Sequence, residues 1–391
     1  MKRIVTIILA LVFCLNLASC AAEPEEPKIH ESRVVRGDMF EYGNFIYTAR
    51  GSIYRFNTLT GEAESACLDP ECDGKCPLHG GMSQLGALVG GRLYFWSFMP
   101  FTHDIYIGYQ DLITGEVRVL VTLGDSEMSS SCTFVDGGYL YYYAALLREG
   151  GDESNPEDYE RRLCRVPVDG GEREVVETPR GVIMLAADGK FILLSGTLSL
   201  YNAESGTEQV IWDYKADGYT GISDLSLSYL DGKIYCLAKI PAENAEILHS
   251  EYQDVTYAKN LFLVSVDVNT GEAKRVVEEA VESFAVTDDR IYYAPFDVRY
   301  LFVPENFKPD SEGLVISFNS DTLYSCAHDG SDVREEFTNP NIKSYREFTV
   351  VGGKVCGKIT VYDENKKYNT PAEFVSVSLE DGAVLSRAEI K

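Results

Sequence analysis

From residue 44 onward, short apolar, aromatic-rich runs recur along the chain. They are NFIYTAR (44–50), RLYFWSF (92–98), YLYYYAA (139–145), KFILLSG (190–196), KIYCLAK (233–239), RIYYAPF (290–296) and KVCGKIT (354–360). Each is too short for a core helix and rich in the aromatic and branched residues that favour strands, so each predicts a buried strand. Most are entered through a Gly or Asp turn, such as Gly90-Gly91, Asp136-Gly137-Gly138, Asp231-Gly232 and Gly352-Gly353. Tight turns need residues that accept positive φ at low cost. A second run follows each copy: SIYRFN (52–57), DIYIGYQ (104–110), RLCRVPV (162–168), LSLYNA (198–203), NLFLVSVD (260–267), TLYSCAHD (322–329) and EFVSVSLE (373–380). All seven end at a turn carrying Gly, at positions 61, 115, 170, 206, 271, 330 and 382. In four of them a Glu or Arg-Glu segment continues as an outer strand, as in GEVRVLVTL and GEAKRVVEE. Segments before the aromatic runs, such as SCTFV and VESFAV, supply a first strand.

The pattern thus repeats as a four-stranded unit. Seven units over residues 33–391 average about 51 residues each, a propeller period rather than a helical-repeat period. No segment carries a sustained 3.6-residue apolar stripe except the ambiguous patch 276–286. The expectation is an all-β chain: one closed β-propeller over 33–391 with seven four-stranded blades, six or eight being the alternatives. Closure removes sheet edges, which predicts a monomer. The composition agrees, with 25 Tyr, 18 Phe and 33 Gly against 2 Trp. Trp is too scarce for the WD-type or tryptophan-docking propeller classes.

The spacing between second and third strands departs from the repeat. It is one residue in the first and fourth units, then 99–103 in the second, 146–161 in the third, 240–259 in the fifth, 297–321 in the sixth and 361–372 in the seventh. Strand direction alternates within a blade, so all these loops emerge on one face, which predicts a binding face. The nominated contact residues are Phe101, His103, Tyr159, Tyr252, Tyr300 and Tyr368, interleaved with acids including Glu243, Glu246, Glu251 and Asp254. Aromatic faces beside carboxylates suit sugars, peptides or cationic groups. For any single aromatic the alternative is that it pins its own loop.

The first residues follow another pattern. Lys2 and Arg3 precede an apolar run from Ile4 to Leu15, too short for a comfortable membrane span, and Leu17-Ala18-Ser19-Cys20 follows. This order resembles the leader and lipobox of bacterial lipoproteins. The resemblance implies a signal peptide over 1–19, a lipidated Cys20, and attachment to the cell membrane on its extracytoplasmic face through that lipid alone. Residues 20–32 are polar, acidic and Pro-containing, and read as a tether. Lys and Arg number 35 against 61 Asp and Glu, a net charge of −26. Such a body lacks the cations that neutralise phosphates, so no nucleic-acid partner is expected. It is repelled by anionic bilayers too, which leaves the anchoring to the acyl chains.

Cys67, Cys72, Cys76 and His79 fall within CLDPECDGKCPLH, spaced C-x4-C-x3-C-x2-H between the first two units. In an exported chain a disulfide is the leading expectation, with one thiol left over. Three thiols and an imidazole are also a zinc donor set, although the paired C-x2-C spacing is absent. Plain loop packing is the third reading. Cys132, Cys164, Cys236, Cys326 and Cys356 lie in predicted strands and read as small buried hydrophobes.

Together, the lipobox, the strand–LYxVDxxTGE pattern and the Cys-Asp-Pro-x-Cys segment, carried here by Cys67, Asp69, Pro70 and Cys72, resemble lipoproteins of Gram-positive bacteria with a TolB-like or YVTN-like propeller body. In many of those a His lies between the second and third Cys, whereas here His79 follows the third. There is no H-E-x-x-H, G-x-S-x-G, Walker or dinucleotide motif, and His is limited to five residues. No catalytic residue is nominated. The expected function is therefore non-catalytic binding of a glycan, peptide or protein on the long-loop face. The alternatives are a carboxylate-dependent carbohydrate-active or other hydrolytic propeller enzyme, and an envelope-assembly scaffold.

Overall fold

The computed structural model describes residues 39–124, 127, 133–152, 155–187, 189–244, 246–248, 257–296, 320–361 and 373–389. They form seven four-stranded antiparallel sheets arranged as a β-propeller. The first blade contains β1 (Met39–Tyr42), β2 (Phe45–Arg50), β3 (Ser52–Asn57) and β4 (Ala63–Ser65). The second has β5 (Met82–Val89), β6 (Arg92–Met99), β7 (Asp104–Asp111) and β8 (Val117–Leu123). The third has β9 (Thr133–Asp136), β10 (Tyr139–Leu147), β11 (Tyr159–Pro167) and β12 (Glu174–Val176). The fourth has β13 (Val182–Ala187), β14 (Lys190–Leu194), β15 (Leu198–Asn202) and β16 (Thr207–Trp212). In the fifth, β17 (Gly221–Leu230) and β18 (Lys233–Lys239) are followed by an inserted hairpin, β19 (Glu246–Leu248) and β20 (Tyr257–Lys259), before β21 (Leu261–Asp267) and β22 (Ala273–Arg275). The sixth has β23 (Val281–Val286), β24 (Ile291–Pro295), β25 (Thr322–Cys326) and β26 (Arg334–Thr338), and the seventh β27 (Ile342–Val351), β28 (Lys354–Val361), β29 (Glu373–Ser378) and β30 (Val384–Glu389). First strands of successive blades approach one another, which places them innermost.

The continuous apolar runs are explained by blade packing. A second strand has a neighbouring blade on each side, so both of its faces are buried and strict alternation of polarity disappears. Its period of two survives as a division between seams. Leu93 and Phe95 pack towards blade 1, and Tyr94 and Trp96 towards blade 3. Likewise Leu140, Tyr142 and Ala144 face blade 2, while Tyr141 and Tyr143 face blade 4. Seven apolar clusters result, one per seam. The seventh joins the two ends of the ring: Met39, Ile46 and Phe56 of blade 1 pack on Cys356, Phe374 and Ala388 of blade 7. The rings of Phe56 and Phe374 lie 4.6 Å apart, and the Lys354 ammonium donates to the Thr58 carbonyl. Each blade is built from consecutive chain, so among the described residues side-chain packing, not a shared sheet, closes the ring.

The outer strand, read from a Glu or Arg-Glu segment in four units and required in all by a four-stranded blade, is present in all seven. The ambiguous patch 276–286 resolves to strand from Val281, with Val281, Phe284 and Ala285 buried. Apart from one-residue shifts, the loops of three units differ from expectation. β10 and β11 pair as far as Leu147 opposite Tyr159, so the third-unit loop is 148–158. The fourth-unit gap is three residues, 195–197, because β14 stops at Leu194. The fifth-unit insertion carries the hairpin β19–β20. In each case ladder hydrogen bonding, invisible to composition, moved the boundary.

The two ends of the blades differ. Four of the seven turns between third and fourth strands follow one design: Asn57, Asp111, Asn202 and Asp267 each accept two backbone N–H bonds from the residues two and three ahead. The turn glycine then lies against the outer edge of the preceding blade. A Cβ on Gly271 would stand 2.5 Å from the Ile211 carbonyl oxygen, and one on Gly330 2.0 Å from that of Val276. Gly61 of blade 1 lies against blade 7 too, but there a Cβ would meet the side chain of Ser386 rather than a carbonyl. The opposite end carries the variable loops and the connections between blades. Among the described residues no helix is long and apolar enough to cross a membrane.

Candidate metal centre and loop face

Residues 66–81 cross from the outer strand of blade 1 to the innermost strand of blade 2, at the end of the blades that carries the variable loops. Both ends are held by backbone bonds: Ala66 N–H donates to the Ile53 carbonyl (3.0 Å) and Gly81 N–H to that of Phe98 (3.0 Å). Asp69 begins a turn by accepting Glu71 N–H at its carboxylate (2.9 Å) and Cys72 N–H at its carbonyl (3.2 Å). Pro77 opens a 3-10 turn, Pro77–His79, in which Leu78 is fully buried in the blade 1–blade 2 seam. Pro suits that first position because its missing N–H would have no partner there.

This path brings all four candidates together. Cys67, Cys72 and Cys76 Sγ and a His79 ring nitrogen lie within 4.8 Å of one another. Cys76 Sγ is 3.6 Å from Cys67 Sγ and 3.2 Å from His79 Nδ1, and Cys72 Sγ is 3.7 Å from the same Nδ1. The far ring nitrogen, Nε2, is 2.9 Å from Ser65 Oγ, which also accepts Cys67 N–H (3.2 Å). The backbone at Asp69, Gly74 and Leu78 favours the thiolates of Cys67, Cys72 and Cys76 respectively. Desolvation pushes the Cys76 thiol up to about 12 and raises that of Cys67. At Cys72 desolvation is outweighed by the Gly74 backbone and by Cys76, and its thiol is held below the usual range. Ser65 escaped the sequence reading because a lone serine in an outer strand carries no signal. Its place comes from the register of β4, in which it pairs with Tyr54.

The loop-face nominees divide in two. Phe101 stands 87% exposed at the tip of the blade 2 loop. His103, two residues on, has φ of +60° and sets its ring edge-on to Phe98 at 6.2 Å. Tyr159 opens β11 half-buried, opposite Leu147. These three stand on adjacent blades. Tyr252, Tyr300 and Tyr368 lie outside the described residues, as do Cys20 and Cys132. Cys164, Cys236, Cys326 and Cys356 are buried strand residues, as expected.

No family model matches the chain, and no curated protein does. Solved structures do resemble it. An oligogalacturonate lyase from Vibrio parahaemolyticus aligns at 11% identity and a TM-score of 0.49, covering 84% of this chain and 86% of that one. A puromycin hydrolase aligns at 13% identity and a TM-score of 0.50, covering 91% and 54%. A prolyl endopeptidase aligns at 12% identity and a TM-score of 0.47, covering 90% and 49%. The chain thus spans about half the length of the last two. At such identities the likeness concerns the fold alone.

Proposed function

We propose that the chain is a lipid-anchored β-propeller, held on the extracytoplasmic face of the cell membrane through Cys20, that binds a glycan, peptide or protein partner on its loop face without catalysing a reaction. The observation that carries this reading is the asymmetry between the two ends of the blades. At one end the turns stay short and each carries a glycine, while the other accumulates insertions at 148–158, 240–260, 296–321 and 362–372. Long insertions between strands on one rim suit contact with a partner. Phe101 supports the reading, because an 87% exposed phenyl ring leaves apolar area that a partner would cover. The apolar leader and lipobox support the anchor.

Two experiments test it. Cys20→Ala should move the chain from the detergent-dependent membrane fraction to the soluble fraction, and continued membrane association would refute the anchor. Glycan and peptide arrays probed with the Cys20→Ala chain should yield a ligand whose affinity falls when Phe101→Ala is added or when 297–319 is shortened. A ligand bound equally well by both variants would refute the binding face.

A further inference from the structure

We propose that Cys67, Cys72, Cys76 and His79 bind one zinc ion, which staples the connection between blades 1 and 2. Zinc bonds of about 2.3 Å to sulfur and about 2.0–2.1 Å to nitrogen, arranged tetrahedrally, separate sulfur atoms by about 3.8 Å and sulfur from nitrogen by about 3.5 Å. Here Cys67 and Cys76 Sγ are 3.6 Å apart, Cys76 and Cys72 Sγ are 3.2 and 3.7 Å from His79 Nδ1, and the remaining pairs lie within 4.8 Å. A disulfide needs sulfurs about 2.05 Å apart and would engage only two of the three thiols. It would give no reason for an imidazole nitrogen to converge on the same point. Four atoms within 4.8 Å of one another converge on a single ion, whereas a two-iron cluster would spread them over two metal atoms.

The surroundings fit the same ion. Ser65 Oγ beside Nε2 gives that nitrogen an acceptor for its proton, which leaves the Nδ1 lone pair facing the sulfurs; metal-bound histidines are oriented in this way. The nearby carboxylates of Asp69 and Asp73 are engaged with Glu71 N–H and with Lys75. Three thiolates select a soft, tetrahedral, redox-silent ion over calcium or magnesium. On binding, the three thiols release three protons, and Zn²⁺ with three thiolates and a neutral imidazole carries a charge of −1. Four protein ligands leave no open position, so the site is structural. It would hold a segment with no β-ladder of its own and seat Leu78 in the seam.

The test uses the full-length chain, purified in detergent and equilibrated with Zn²⁺. Elemental analysis should find one zinc per chain, and Cys72→Ala and His79→Ala should each abolish it. Cobalt exchange should produce the intense visible bands of a tetrahedral, thiolate-bound ion. A chelator should make three further thiols reactive to maleimide in the folded chain. Ser65→Ala should keep the stoichiometry and weaken affinity about 10- to 100-fold, as loss of an orienting partner does. The proposal is overturned if the folded wild-type chain retains no zinc. It is equally overturned if peptide mapping of chain isolated from membranes finds Cys67, Cys72 or Cys76 in a disulfide. Both measurements use the wild type, so misfolding of a variant does not cloud them.

Discussion

Replacing Gly330 by Ala tests how the blades are held at their outer edges. Gly330 lies in the turn between β25 and β26 with φ of +84°. A Cβ there would sit 2.0 Å from the carbonyl oxygen and 3.0 Å from the carbonyl carbon of Val276, just past the outer strand of blade 5. Val276 cannot yield cheaply, because it is buried and its N–H is bonded to the Leu263 carbonyl. Two costs therefore add. Forcing an L residue into the left-handed region costs about 1–2 kcal/mol. Displacing packed backbone costs about 1–3 kcal/mol more, by analogy with overpacked cores. Gly137 is the control: its φ is +54°, it is exposed, and a Cβ there meets nothing within 4 Å. Gly137→Ala should lose the first cost alone. Guanidinium unfolding of both variants in the Cys20→Ala background, at unchanged m, would measure the difference. A gap of about 1–3 kcal/mol between them is expected. Equal losses would refute close approach between blades as the reason for glycine in these turns.

Three further outcomes follow from the ring. Phe374→Ala, at the seam that closes blade 7 on blade 1, should cost about 3–5 kcal/mol in the same unfolding assay, since Phe374 is fully buried against Phe56; a loss below about 1 kcal/mol would mean that the seam is not closed. A fragment ending at Trp212 should aggregate, because Leu185, Ile192, Leu198 and Leu200 would lose their partners from blade 5; a monomeric, well-dispersed NMR spectrum would contradict this. The Asp332 carboxyl, hydrogen-bonded by Arg290 and then Arg334, is held below the ordinary value of about 3.9. Its stabilising effect should be complete above that value and fade as pH falls through the lower folded one, so an NMR titration should show Asp332 moving upward in Arg290→Ala.

The blade repeat was legible because its causes are local. Strand-forming runs, a glycine or aspartate at each reversal, and one period repeated seven times all act within a few residues along the chain. Even the buried cysteines could be read from their place in apolar runs. Strand ends were less legible: β10 and β11 extend through Leu146–Leu147 and Tyr159–Arg161 because each lends the other a ladder partner, which neither segment's composition announces. The hairpin β19–β20 was missed for the same reason.

The four metal-site candidates were visible as residue types at a spacing, but the spacing left a disulfide, a metal and loop packing all open. What the sequence by itself determined is the four-stranded repeat and the face on which the insertions collect, because these follow from alternation of strand direction and from turn chemistry; it left six, seven or eight blades open, and the structure has seven. Tertiary structure decided two further things. It assigned alternate residues of each central strand to different seams, since only the neighbouring blade on each side defines where Tyr94 or Phe95 is buried. It also decided the convergence of Cys67, Cys72, Cys76 and His79 beside Ser65, since that depends on two anchors far apart in the chain: the pairing of β4 with β3, and the bond from Gly81 to the end of β6.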